Sequence, residues 1–159
     1  MTSPLPAPFS RHQVVPAHAV RDRSGISSIF SAQERKGDWE LSRLFRIACM
    51  MGTVVVDLRE ARIPEGETTM EVFLLMGSIQ LIVPPGVRIE VDIDSLAGGI
   101  EYRPDPNYVA EPGAPVIRVT GSAYFGSVEV IARLPGESAR DARRRIRAAS
   151  KLASRQIGR

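Results

Sequence analysis

The side chains that most often perform catalysis are few and poorly placed in this sequence. Both histidines, His12 and His18, precede residue 25, and the one cysteine, Cys49, lies beside two methionines. This distribution removes most zinc ligand sets and the Ser-His-Asp and Cys-His arrangements. We interpret Cys49 as a small buried apolar residue rather than a catalytic thiol. One cysteine also forms no internal disulfide, so nothing indicates an oxidising compartment.

Two pairs of carboxylates, Asp92 with Asp94 and Glu65 with Glu67, are the remaining candidates for acid–base chemistry. Residues two apart on a strand share one face. Because acidic pairs at this spacing are usually solvated, we interpret both pairs as outward-facing acids. An enzyme would need such acids in a concave site with shifted pKa values. The sequence therefore predicts no catalytic residue, no metal site, no cofactor and no enzyme activity.

Composition divides the 159 residues into three regions that must carry whatever function exists. Residues 1–24 contain four prolines and predict a disordered tail, residues 25–135 predict a β domain, and residues 136–159 predict a helix. The content of 43% hydrophobic and 25% charged residues is typical of a soluble globular chain. No apolar run is long enough for a spanning helix, and the N-terminus lacks signal-peptide features. We expect a cytoplasmic protein.

The β region contains an internal repeat centred on glycine. Strands of alternating polarity follow Gly52, Gly77, Gly98 and Gly126, and Ser31 occupies the matching position of a degenerate first copy. Such periodicity indicates a repeat architecture. Glycine lets the chain turn a corner between two strands. We expect the large residue before each corner to point into the core; these residues are Met51, Met76 and Phe125.

The repeat predicts an all-β fold: a short right-handed β-solenoid of about five strand–Gly–strand rungs, followed by one basic C-terminal α-helix. Stacking is required because one rung cannot bury its own apolar face. The alternative is an antiparallel sandwich or barrel in which each glycine marks a bulge. A long connection at residues 103–115 predicts a surface excursion.

Several motifs resemble the C-terminal domain of LiaF-like proteins, the cell wall-active antibiotics response family of bacteria. The resemblance covers about residues 26–131, and its most specific parts are Gly37-Asp38-Trp39, "VVVDLREARIPEG" at 54–66 and "FGSVEV" at 125–130. It implies a compact β-solenoid in a non-enzymatic regulator that restrains an envelope-sensing histidine kinase at the membrane. Membrane-sensing members carry transmembrane helices ahead of this domain, where the present sequence has a Pro-containing tail, and the first repeat has lost its glycines.

The C-terminal region predicts a strongly basic amphipathic helix. Residues 136–159 contain eight Arg or Lys against two acids, a net charge of +6. Ser138 with Asp141 indicates a helix start. Candidate contacts for a partner or an anionic membrane are a stripe of five residues with a sixth, Arg143, nearby; the stripe consists of Arg140, Arg144, Arg147, Lys151 and Arg155. The helix could instead cover the open terminal rung through Ile146 and Leu152. Nucleic acid is disfavoured because the body lacks a matching basic face.

These features favour a non-catalytic cytoplasmic regulatory or adaptor protein of LiaF-like type, linked to the cell-envelope stress response. Its partner would be a protein such as a sensor kinase or an envelope protein, with peripheral contact to the anionic inner membrane face as a further option. The alternative is a self-assembling scaffold of bactofilin-like type, since solenoid ends present unpaired strand edges. A homo-oligomer is compatible with both hypotheses.

Overall fold

The computed structural model describes residues 14–104, 112–134 and 136–157. The elements in this part of the chain are β1 (Val14–Val15), a 3-10 helix (Ala17–Ala19), β2 (Arg23–Arg35), β3 (Leu44–Asp57), β4 (Ile63–Pro64), β5 (Glu67–Val83), β6 (Arg88–Arg103), β7 (Val116–Ala132) and α1 (Ala139–Ile157). The five long strands form one sheet in the order β2-β3-β5-β7-β6, and β1 pairs with β4. Every strand pair is parallel, so the antiparallel alternative is wrong.

The glycine repeat sets the register of the sheet. Ser31 pairs with Gly52, and Gly126 pairs with both Gly77 and Gly98. The positions aligned by sequence are therefore neighbours across the strands, and the placement of Ser31 in the degenerate first copy is confirmed. Each long strand carries its corner at the same height in the sheet.

The three inner strands, β3, β5 and β7, bend at their corners so that both halves face one core. In β3, Phe45, Ile47 and Cys49 are buried before the corner, and Val54 and Val56 are buried after it. A straight strand would turn odd-numbered and even-numbered residues to opposite faces. All five belong to the same apolar cluster, so the chain must fold around the core between Cys49 and Val54.

The predicted orientation of the residue before each glycine is wrong. Met51, Met76 and Phe125 are 41%, 45% and 56% exposed. They lie on the outer side of the bend, where side chains diverge from the core. The last inward residue before the corner comes earlier: it is Cys49 in β3, which is fully buried, as interpreted from its neighbours.

The spatial order of the strands differs from their order along the chain. The last copy, β7, pairs with β5 on one side and with β6 on the other. A stack built in chain order would instead place β6 next to β5. The sheet therefore ends in β2 and β6, and its two most extensively paired inner strands are β5 and β7.

Of the predicted tail at residues 1–24, the structure describes residues 14–24. Residues 1–13 lie outside the described residues. In residues 14–24, β1 pairs with β4 and Val20 is buried, so this segment packs with the body. Of the predicted surface excursion at 103–115, residues 105–111 also lie outside the described part of the chain.

Candidate partner-binding surface

The C-terminal helix starts at the predicted cap. The hydroxyl of Ser138 accepts a hydrogen bond from the backbone N–H of Asp141 at 3.2 Å, and it donates to the Asp141 carboxylate at 2.8 Å. The negative charge of Asp141 also lies in the first helical turn, where the helix dipole favours it. The cap ends the connection between β7, which ends at Ala132, and α1, which begins at Ala139.

The helix packs on the face of the sheet, not over an open edge. Ala142 and Ile146 are buried against Ile82 of β5 and Ile131 of β7, with Val55 of β3 alongside. These are the three inner strands, so the interpretation of α1 as a cover for a terminal rung is wrong. Leu152, which was expected to take part in that cover, is 61% exposed.

The predicted basic stripe faces away from the sheet. At 100° per residue five of its members lie on the helix side opposite to Ala142 and Ile146, and Arg143 lies at the flank of that side. All six are exposed: Arg140, Arg143, Arg144, Arg147, Lys151 and Arg155. From first to last they span about 22 Å along the helix axis. We call this set the basic stripe.

One member of the basic stripe is bound within the protein. The Arg143 guanidinium donates to both carboxylate oxygens of Glu129 at 3.0 and 2.9 Å. Among the described residues, no ion pair or hydrogen bond engages the side chains of the remaining five. Their charges are thus available to a partner, whereas Arg143 helps to hold α1 against β7.

A cluster that the sequence did not predict fixes the start of the helix. Arg59 donates from Nε and Nη2 to the Asp57 carboxylate at 3.0 and 2.7 Å, and from Nη1 to the backbone carbonyls of Leu134 and Glu137. We call the cluster the helix anchor; it consists of Asp57, Arg59, Arg133, Glu137 and Arg145. It joins β3 to the segment that leads into α1.

The remaining contacts of the helix anchor converge on Glu137. Its carbonyl accepts from Arg133 Nε and Nη2 at 3.0 and 2.7 Å, and its carboxylate accepts from Arg145 Nε at 2.9 Å and from the Leu134 N–H at 3.1 Å. Burial raises the pKa of Glu137, but these hydrogen bonds outweigh it and hold the pKa below its ordinary value. The anchor therefore keeps Glu137 ionised.

The pKa values of Arg59 and Arg133, the two arginines beside Glu137, are shifted in opposite directions. The hydrogen bonds to Asp57 raise the pKa of Arg59. Burial lowers the pKa of Arg133, and the nearby positive charge of Arg59 lowers it further. Both guanidiniums stay charged at neutral pH, so the anchor is a network of charge-assisted hydrogen bonds.

We expect Arg59→Ala to lower the free energy of unfolding by about 2–3 kcal/mol and to loosen α1, because Asp57 would keep a largely buried charge without its main partner. Chemical denaturation and hydrogen exchange of the α1 amides would measure both effects. Arg62→Ala is the matched control, since Arg62 pairs with Asp38 at 3.4 Å on an exposed surface. Equal losses in the two variants would contradict the anchoring role.

The motif pieces singled out in the sequence meet next to the helix anchor. Trp39 Nε1 donates to the backbone carbonyl of Asp57 at 2.9 Å, while the Asp57 carboxylate binds Arg59. The Trp39 ring packs against Phe45 with a centroid distance of 5.3 Å, and the guanidinium of Arg35 lies 5.5 Å from its centroid. Two separate motifs, at 37–39 and 54–66, thus form one structural unit.

The residues considered for chemistry are not gathered into a site. Burial raises the pKa of the Cys49 thiol, which makes it a poor nucleophile. Asp92, Asp94, Glu65 and Glu67 are exposed, as interpreted from the sequence. Within the described ranges, no group of three or more His, Cys, Asp or Glu side chains could hold a metal ion. A shallow cavity of about 290 Å³ lies at Lys36, Gly37, Asp57, Arg59, Glu60 and Gly136.

Two curated relatives, both uncharacterized proteins of Mycobacterium tuberculosis, are similar to this chain. The relative from strain CDC 1551 is 29% identical and the one from strain ATCC 25618 is 28% identical, each over 107 residues. The alignments cover 66% of this chain and 52% of each relative, so the chain spans about half the length of the curated relatives it matches. No solved structure matches the chain significantly.

The family comparison covers both motifs that meet at the helix anchor, those at 37–39 and 54–66. The model of the family described as cell wall-active antibiotics response LiaF, C-terminal, matches residues 29–111, more than half of the chain. Among the described residues, no helix is both long and apolar enough to cross a membrane. The chain belongs to the LiaF-like C-terminal family.

Proposed function

We propose that this chain is a non-catalytic regulatory or adaptor protein of the cell-envelope stress response. It acts in the cytoplasm, at the inner face of the membrane, by binding an acidic segment of a sensor kinase or envelope protein through the basic stripe. The family description, a response to cell wall-active antibiotics, supports the link to the envelope. The bent parallel strands, which we take as a short right-handed solenoid, supply a rigid support for the helix.

The basic stripe is the observation that carries the proposal. Arg140 with Arg144, Arg147 with Lys151, and Lys151 with Arg155 are like charges four residues apart. Each such pair destabilises a helix by about 0.2–0.5 kcal/mol. A face that served only solubility would intersperse acids among these bases. The concentration of unpaired cations on the outward side is therefore explained best by an acidic partner.

A protein partner fits the helix better than insertion into lipid. The apolar side of α1 is already occupied, since Ala142 and Ile146 are buried against the sheet. Without a free apolar face, a membrane could attract the stripe only through its charge. Arginine predominates over lysine in the stripe, and its planar guanidinium binds carboxylates in a bidentate manner.

The test is capture of the partner by the wild-type chain and by a stripe variant that carries Arg140→Glu, Arg144→Glu and Arg147→Glu. Both are used as bait in cells treated with a cell wall-active antibiotic. The wild type should retain a sensor kinase or an envelope protein with an acidic segment. The variant should bind that partner at least on the order of tenfold more weakly, because three attractive charges become repulsive.

A control variant carries the same change in net charge away from α1: Arg21→Glu, Arg23→Glu and Arg88→Glu. These arginines are exposed, and the control should bind the partner as the wild type does. Equal retention by the stripe variant would overturn the proposal. If the wild type bound phosphatidylglycerol vesicles and no protein partner were recovered, the partner of the basic stripe would be the membrane surface and not a protein.

A scaffold of bactofilin-like type is the second candidate, and the open edges of the sheet favour it. Strands β2 and β6 each have one long side without a pairing strand in the described structure. Because α1 lies on the inner strands, it does not block either edge. This candidate requires filaments of the full chain in negative-stain images, and discrete particles alone would exclude it.

A further inference from the structure

The glycine corners place two adjoining rows of large apolar side chains on the surface. Pairing across the strands sets Phe30 beside Met51, and Met76 beside Phe125, and the second row lies one residue earlier in each strand. We call the two rows together the corner ridge; it consists of Ile29, Phe30, Met50, Met51, Met76, Leu96, Tyr124 and Phe125. It crosses all five strands of the sheet, a length of about 19 Å at the usual strand spacing.

The corner ridge is not needed to fill the core. Phe30 is 78% exposed and Leu96 is 73% exposed, and the least exposed member, Tyr124, still shows 37% of its surface. Together the eight side chains expose roughly 900 Å² at ordinary residue areas. A contiguous apolar patch on a monomeric protein seldom exceeds about 300–600 Å², and larger patches mark interaction sites.

The size of the corner ridge suits a protein interface. A specific interface buries about 800 Å² on each partner, which the ridge supplies without further residues. Its composition also fits, because aromatic residues and methionine are enriched in interfaces. Methionine adapts to irregular surfaces and contacts aromatic rings favourably, so a ridge of both residue types can pack against a copy of itself.

The charges around the corner ridge favour a second copy over a membrane. The corner segments 27–33, 48–53, 73–78, 94–99 and 122–127 contain no Lys or Arg and a single acid, Asp94. An anionic bilayer would therefore find no electrostatic attraction at the ridge. Two copies would bring no repelling cations together, and serine, threonine and glycine at the flanks can form a polar rim.

We propose that two copies of this chain associate corner ridge to corner ridge in a two-fold symmetric dimer. In such an interface the same patch serves both subunits. Met76 belongs to β5, the middle of the five strands, so it meets its own counterpart whichever way the two ridges run. The dimer goes beyond the proposed function, because the ridge and the basic stripe share no residue.

The first test uses a disulfide at the centre of the corner ridge. Met76→Cys should crosslink two chains under mild oxidation, and the native Cys49 will not compete because it is fully buried. Glu60→Cys, at an exposed loop position, is the matched control and should stay uncrosslinked. Equal crosslinking of the two variants, or none in Met76→Cys, would overturn the dimer.

The second test measures mass in solution by sedimentation equilibrium. The wild type should be dimeric, and the double variant Phe30→Glu with Phe125→Glu should be monomeric with unchanged circular dichroism, because both side chains lie outside the core. Leu152→Glu adds a charge at an exposed leucine of α1 and should remain dimeric. A monomeric wild type would overturn the proposal. It would also be overturned if the wild type bound phosphatidylcholine vesicles and the Phe30→Glu, Phe125→Glu variant did not, because the corner ridge would then contact lipid.

The two proposals fail separately. A wild-type monomer that still retains its partner through the basic stripe would overturn the dimer and leave the proposed function in place. A dimer whose stripe variant binds the partner normally would overturn the proposed function alone.

Discussion

Replacing Gly77 by alanine should lower the free energy of unfolding by about 3 kcal/mol or more. Gly77 has φ of +118°, a conformation that residues with a side chain rarely adopt. An added Cβ would lie 2.0 Å from the carbonyl oxygen of Gly52 on the neighbouring strand. Because β5 is paired on both sides, the backbone cannot withdraw without breaking pairs with β3 or β7. Urea unfolding followed by the fluorescence of Trp39, the one tryptophan, would measure the loss.

Two other glycines separate the steric clash from the backbone strain. Gly99 has ordinary φ and open space around its Cβ position, so Gly99→Ala should change stability by less than about 0.5 kcal/mol. Gly66 has φ of +81° but also open space, so Gly66→Ala should cost about 1 kcal/mol from strain alone. A Gly77→Ala variant as stable as Gly99→Ala would show that the corners are not closely packed.

Trp39→Ala should cost about 3–5 kcal/mol, the usual range for removing a buried aromatic side chain. The indole is 8% exposed, packs on Phe45, and supplies the hydrogen bond to the Asp57 carbonyl. Its loss would leave a cavity beside β3 and a buried carbonyl without that donor. Circular dichroism during thermal and urea unfolding would measure the change, since the fluorescence probe is absent in this variant.

The phenylalanine variant separates packing from hydrogen bonding at the same position. Trp39→Phe keeps an aromatic ring against Phe45 but cannot donate to Asp57, so it should cost about 1–2 kcal/mol. If Trp39→Phe were as damaging as Trp39→Ala, the hydrogen bond to Asp57 rather than the ring would dominate. If both were neutral, the motif at 37–39 would have no structural role in joining β3.

Local pattern was sufficient to predict several features of the fold. The glycine alignment predicted which residues are neighbours across the strands, including Ser31 opposite Gly52. Alternation predicted the buried sides of the strands, because one-sided burial fixes which residues face the core. The cap at Ser138 and the outward direction of the basic stripe followed from helical periodicity. The alternation and the helix start depend on residues close together in the chain, and the register was predictable because each copy of the repeat carries the same local pattern.

Features that depend on distant residues were missed. The outward position of Phe125 depends on how the strand bends around a core built by other strands. The helix anchor joins Arg59 to carbonyls at 134 and 137, more than seventy residues later. Arg59 lies within the family motif at 54–66, which marked this stretch as important, but the spacing of the motif identified no partner for Arg59. The strand order also followed no local rule, because a repeat pattern alone does not determine which copies become neighbours.

The position of β7 between β5 and β6 has a consequence for how the protein folds during synthesis. Strand β7 leaves the ribosome after β5 and β6, the two strands between which it lies in the sheet. Strands β2, β3 and β5 are neighbours in chain order and can pair as they emerge, as the units of a simple repeat array would. Strand β6 has no partner until residues 116–132 emerge, so the addition of β6 to the sheet is a late step that requires β7. The region matched by the family model, 29–111, lacks the strand that makes this step.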